Sequence, residues 1–177
     1  RKFTLLGDPA LTLAFPQFKI KTTKLNLVVP LLRADTLSAG EKVVIEGEVT
    51  DNNGSLLSSL NGSVYPVVFD KPQTITTKAN DPGSQQTTFQ RQSNILFKGK
   101  STVTNGKFSF SFKVPKDINY QFGQGKISYY AEDGIKDGSD FFNGFIIGGS
   151  ATTIDTDQDG PEVKAWLNDE KFVNGGI

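Results

Sequence analysis

The sequence predicts an all-β fold: an immunoglobulin-like antiparallel β-sandwich with short flanking segments from neighbouring domains. Three observations predict it. The 177 residues include 18 glycines, 8 prolines and 14 phenylalanines, with few helix-forming stretches. Short apolar–polar alternations separated by turn residues recur along the chain, about seven to nine of them. The strongest hairpin signal, Asn105-Gly106, lies between two β-rich arms.

In chain order, residues 1–16 hold Leu5, Leu6, Ala10, Leu11, Leu13 and Phe15, split by a Gly7-Asp8-Pro9 turn. They read as the closing segment of a preceding domain. Residues 17–149 read as the sandwich. Within it, residues 17–33 predict one or two strands, with Pro30 at an edge or bulge. Asp35 to Gly40 predicts a turn. Lys42 to Asp51 gives the clearest strand, with Val43, Ile45, Gly47 and Val49 on one face. Asp51-Asn52-Asn53-Gly54 and Asn61-Gly62 predict turns. Ser63 to Asp70 predicts a strand in which Pro66 marks an edge or bulge, and Thr74 to Lys78 is rich in β-branched residues.

Residues 79–93 are polar and predict a long loop, the best candidate for a contact surface. Ile95 to Val103 predicts one strand. The arm after Asn105-Gly106 puts Phe108, Phe110, Phe112 and Val114 on one face, with Ser109, Ser111 and Lys113 on the other. Pro115 to Gly125 predicts a connection. Gly125 to Asp133 predicts a strand with Ile127, Tyr129 and Ala131 facing one way, and Tyr129-Tyr130 reads as core packing or a tyrosine corner, with a sugar-stacking surface as the alternative. Asp137 to Asp140 predicts a turn and Phe142 to Ile147 the last strand. Residues 150–161 read as a linker, and 162–177 as the start of a following β domain.

Formal net charge is zero, with 19 basic and 19 acidic residues. No electrostatic reason exists to expect nucleic acid or an anionic membrane. Lys19, Lys21 and Lys24 form the densest basic group and read as a solvated strand edge. No apolar run approaches the ~20 residues of a membrane helix. The sequence has no cysteine and no histidine. A Ser-His-Asp triad, a Cys-His pair and a histidine-ligated zinc are therefore excluded within it. No catalytic residue and no cofactor is expected, with one calcium candidate set aside. Asp155, Asp157 and Asp159, with Gly160 in the sixth position, match the first half of a calcium loop. The twelfth position is Trp166 where that loop needs glutamate, and Glu162 comes too early. A polar linker is the simpler reading. Asp133, Asp137 and Asp140 are expected to cap turns rather than form an acid–base couple.

Gly7-Asp8-Pro9-Ala10-Leu11 resembles the segment that closes the catalytic fold of gingipain-like cysteine peptidases. Five stretches in all carry the likeness, the first of them holding that segment: FTLLGDPAL, VIEGEVTDNNG, GSVYPVVFDKPQTITTKANDPGS, LFKGKSTVTNGKFSFSFKVPKDINYQFGQGKISYYAEDG and DGPEVKAWLNDEKFVNGG. In that order they resemble the C-terminal region of a type IX secretion system sortase of the Bacteroidetes, across essentially the whole chain. The resemblance implies a caspase-like peptidase domain with a His-Cys dyad, followed by immunoglobulin-like modules. It implies an outward-facing enzyme at the outer membrane. That enzyme removes C-terminal sorting domains from secreted cargo and helps attach the cargo to the cell surface. None of the family's catalytic positions has a counterpart here. What carries over is architecture, with the preceding peptidase domain and following β domain as partners within the chain, and cargo or secretion components as partners outside it. Two other classes fit the same sequence: a carbohydrate-binding module and an adhesin-type structural module of a bacterial surface protein.

Overall fold

The computed structural model describes Ala10, residues 15–26 and residues 35–151. Thirteen strands and no helix occur among the described residues. The first seven are β1 (Lys19–Leu25), β2 (Asp35–Ala39), β3 (Lys42–Thr50), β4 (Gly62–Phe69), β5 (Gln73–Thr76), β6 (Thr88–Arg91) and β7 (Ile95–Lys98). The others are β8 (Ser101–Val103), β9 (Lys107–Lys113), β10 (Gly123–Gln124), β11 (Lys126–Glu132), β12 (Asp137–Phe142) and β13 (Phe145–Ser150).

Alternation decides the sheets. In β3, Val43, Ile45, Gly47 and Val49 are buried, and in β9 Phe108, Phe110 and Phe112 are buried between exposed Ser109, Ser111 and Lys113. These strands pair antiparallel with β1 to give the sheet β1-β3-β9. In β11, Ile127, Tyr129 and Ala131 face inward, and in β4 Val64, Pro66 and Val68 do so. They form the facing sheet β12-β11-β4-β7, with β8 also paired to β4. The faces meet through rings. Phe97 of β7 stacks on Phe110 and Phe112 at 5.6 and 5.0 Å, and Phe108 meets Tyr129 at 5.7 Å. The fold is therefore the predicted all-β sandwich.

Both flanks of the sandwich are tied. On one, Phe18 bridges Gly138, and the Gln17 N–H donates to the Asp137 carbonyl at 2.7 Å. On the other, Asn105 (φ 52°) and Gly106 (φ 75°) make the expected two-residue turn between β8 and β9. Thr104 and Lys107 exchange both backbone hydrogen bonds across it, at 2.9 and 3.0 Å. Two positive φ values in succession are what Asn-Gly supplies at low cost.

Several boundaries differ from those predicted. Asp35 to Ala39 is a strand, not a turn. It pairs parallel with β13, burying Leu37 and Ala39, and only Gly40 turns. Asp137 to Asp140 belongs to the edge strand β12, and the turn lies one step earlier, where the Asp133 N–H donates to the Lys136 carbonyl. The strand expected from Ile95 to Val103 is broken at Gly99-Lys100 into β7 and β8. That break explains Pro66, which sits mid-strand between β11 and the β7/β8 side rather than at an edge. Its carbonyl accepts from the Gly99 N–H at 3.1 Å. Its missing N–H would point to the same side, where the neighbouring strand is interrupted. The third small sheet, β10-β13-β2, adds Phe145, Ile147 and Leu37 to the same core cluster.

Candidate functional site

Two surfaces stand out from the sandwich. The first is a two-stranded ribbon. β5 and β6 pair only with each other among the described residues, with Gln73 opposite Arg91 and Ile75 opposite Phe89. The predicted loop 79–93 is thus partly strand: Thr88 to Arg91 is β6. The reason is pairing rather than burial, since every residue from Asn80 to Arg91 is exposed. Ile75 is half-buried and Phe89 is 47% exposed, which leaves an apolar cross-strand pair in contact with solvent.

The ribbon is rooted in a buried polar clamp. Asp70 is 2% exposed. Its carboxylate accepts from the Lys71 backbone N–H at 2.8 Å and from Lys71 Nζ at 2.9 Å. Its own N–H donates to the Asn94 carbonyl at 2.8 Å, and Gln92 Nε2 donates to the Asp70 carbonyl at 2.7 Å. Both ends of the hairpin are therefore held to each other, and Gln92 also reaches the Gln124 carbonyl at 3.2 Å.

The second surface is the outer face of the β12-β11-β4-β7 sheet. Tyr129 and Tyr130 separate as the period of two requires. Tyr129 is in the core, where its hydroxyl shares a 2.7 Å hydrogen bond with that of Thr22, from the facing sheet. Burial holds the Tyr129 phenol far above its usual pKa, and the Thr22 bond only partly offsets this. Tyr130 faces out directly opposite Tyr65, ring centroids 6.0 Å apart. Tyr130 donates to Asp137 at 3.3 Å, and Tyr65 donates to Glu132 at 3.2 Å. Loss of surrounding water first, then the Asp137 charge, raises the Tyr130 pKa.

The chain has a solved structural counterpart over nearly its whole length. It is similar to dimeric latent PorU from Porphyromonas gingivalis at 26% identity, with a TM-score of 0.74 over 95% of this chain and 16% of that one. The chain is PorU-like. The sequence resemblance to the C-terminal region of a type IX secretion sortase agrees with this likeness. A weaker match, at 17% identity and a TM-score of 0.41, is the sporulation control protein Spo0M from Bacillus subtilis, covering 76% of this chain and 51% of that one. No protein-family profile and no curated protein matches the chain.

Within this PorU-like sandwich the carboxylates singled out from sequence hold backbone. Asp133 Oδ1 accepts from the Lys136 and Ile135 N–H groups at 2.8 and 2.9 Å, which holds its pKa below the usual carboxylate value. Asp140 Oδ1 accepts from the Phe141 N–H at 2.8 Å. Asp155, Asp157 and Asp159 lie outside the described residues, as does most of residues 1–14 and all of 152–177. Lys21 and Lys24 of the basic strand pair across to Glu48 and Glu46, at 4.0 and 2.9 Å. A groove of about 620 Å³ follows the seam between β1 and β12, lined by Ile20, Thr22, Asp140, Phe141 and Phe142. Sequence reasoning missed Tyr65 and Phe141. No local pattern marks Tyr65, because its partner lies 65 residues away.

Proposed function

We propose that this chain is a non-catalytic accessory β-sandwich of a cell-surface cysteine peptidase of the type IX secretion sortase kind. It braces the peptidase domain and offers the β5–β6 ribbon to cargo or to secretion components. The parent enzyme removes C-terminal sorting domains from exported cargo and faces outward at the outer membrane. Residues 1–16 close the peptidase domain, 17–149 form the sandwich, 150–161 link it onward, and 162–177 begin the next β domain. The observation that carries this reading is the likeness to PorU along 95% of the chain. The chain spans 16% of that protein, so the activity belongs to a larger polypeptide. The absence of cysteine and histidine fits a supporting part.

The test is the coding sequence on either side of this chain. An upstream domain ending at FTLLGDPAL, with a histidine and a cysteine each following an apolar strand, is expected. Tandem copies of the sandwich with no such domain would leave an adhesin instead. Peptidase activity from the purified 177-residue chain would also overturn the supporting role.

A further inference from the structure

We propose that the outer face of the β12-β11-β4-β7 sheet is a stacking platform for an uncharged glycan. Three rings stand on neighbouring strands of this face: Tyr65 on β4, Tyr130 opposite it on β11, and Phe141 on β12. Tyr130 is 44% exposed and Phe141 is 61% exposed. Phe141 lies diagonal to Tyr130, because Tyr130 pairs with Ser139 and Phe141 with Ser128. The row crosses two strand spacings, roughly 10 Å, which is the reach of a short oligosaccharide.

The two tyrosines are fixed in advance. Tyr65 is tied to Glu132 and Tyr130 to Asp137 through their hydroxyls, so each ring loses less freedom when a ligand settles on it. The surroundings select the ligand class. Ser128 and Ser139 stand between Tyr130 and Phe141, and the Lys100 ammonium sits over the Tyr65 ring, 5.3 Å from its centroid, so the open ring faces are those of Tyr130 and Phe141. Rings pack against the C–H faces of a pyranose, while hydroxyls, carboxylates and an ammonium pair with its hydroxyls. A protein partner fits less well, because the core of a protein interface is depleted of charge and here Glu132 and Asp137 stand beside the rings. An anionic ligand fits less well too, since both signs of charge are interspersed and no single-sign field is presented. The platform does not depend on the accessory role proposed above.

The 177-residue chain would be applied to a printed array of neutral and acidic glycans. It would then be run through native gels containing hydroxyethyl cellulose, galactomannan, dextran or heparin. Binding to at least one neutral glycan is expected, and it should be insensitive to added salt. Tyr130→Ala and Phe141→Ala should each weaken it about tenfold, while Phe141→Tyr, which keeps a ring, should retain it. An unchanged far-UV circular dichroism spectrum and a cooperative urea transition would show that each variant remains folded. Binding to no neutral glycan, retention by heparin alone, or full binding by the two alanine variants would each overturn the proposal.

Discussion

Tyr129 ties the two sheets with a polar contact set among the apolar side chains of the core. Its hydroxyl and that of Thr22 satisfy each other, and both residues are buried. Tyr129→Phe strands the Thr22 hydroxyl, so urea denaturation should show a loss of about 1–2 kcal/mol. Adding Thr22→Val should recover most of it, since removing both polar partners avoids the unpaired group. The phenol also sets an alkaline limit. Its folded pKa is raised, so the stability tied to its neutral form is complete below the unfolded tyrosine value of about 10 and declines as pH rises above it. Spectrophotometric titration should find Tyr129 ionising only as the chain unfolds, and Tyr129→Phe should remove that phase. Gly47 is constrained differently. A Cβ there would lie 2.2 Å from the Phe108 ring tip. That ring is buried and packs against Phe110 and Tyr129, so making room for the methyl group disturbs core contacts. Gly47→Ala should therefore cost about 1–3 kcal/mol in the same assay, by overpacking rather than by backbone strain.

At the scale of elements, the β5–β6 ribbon and the sandwich should separate in their response to mutation. None of the buried hydrophobic residues lies between Val68 and Val103. Gln73 and Arg91 are cross-strand neighbours, so an Asn-Gly turn can replace residues 73–91 and join Pro72 to Gln92. The shortened chain should unfold within about 1 kcal/mol of the parent. Asp70→Ala should do more harm than removing the whole ribbon. It leaves the largely buried Lys71 ammonium unpaired, a loss of about 3 kcal/mol, and removes the 3.4 Å bond that Asn94 Nδ2 donates to the carboxylate, while the two backbone bonds of Asp70 to Asn94 and Gln92 remain. Trypsin should then cut after Arg91 faster than in the parent chain. The same contrast explains what could be read from sequence. β3, β9 and β11 each have one buried and one solvated face, so a period of two betrays them. β6 has no buried face, and its strand character comes only from pairing with β5. β2 looks like a turn in its Asp, Thr and Ser content and the Gly40 that follows it, yet it is held by a parallel partner more than a hundred residues away. The ribbon's exposure was legible in its polarity. The Tyr65–Tyr130 pair was not, because it exists only through the register of β4 against β11.

For the whole molecule, one hydrophobic cluster draws on all three sheets of the sandwich. β3 and β9 contribute Ile45 and Phe110, β4 and β11 contribute Val68 and Ile127, and β2 and β13 contribute Leu37 and Ile147. Phe142 and Phe145 stack at 5.8 Å across the step from β12 to β13, joining the large sheet to the small one. No sheet therefore keeps a core of its own once another leaves. Charge adds little to this cohesion. The two surface pairs, Lys21–Glu48 and Lys24–Glu46, are exposed cross-strand contacts worth a few tenths of a kcal/mol each. Unfolding should accordingly be a single transition. Far-UV and near-UV circular dichroism and tyrosine fluorescence should give one urea midpoint, and 0.5 M sodium chloride should barely move it. A separate early transition in one probe would mean that β10-β13-β2 is held by its own pairing rather than by the shared core.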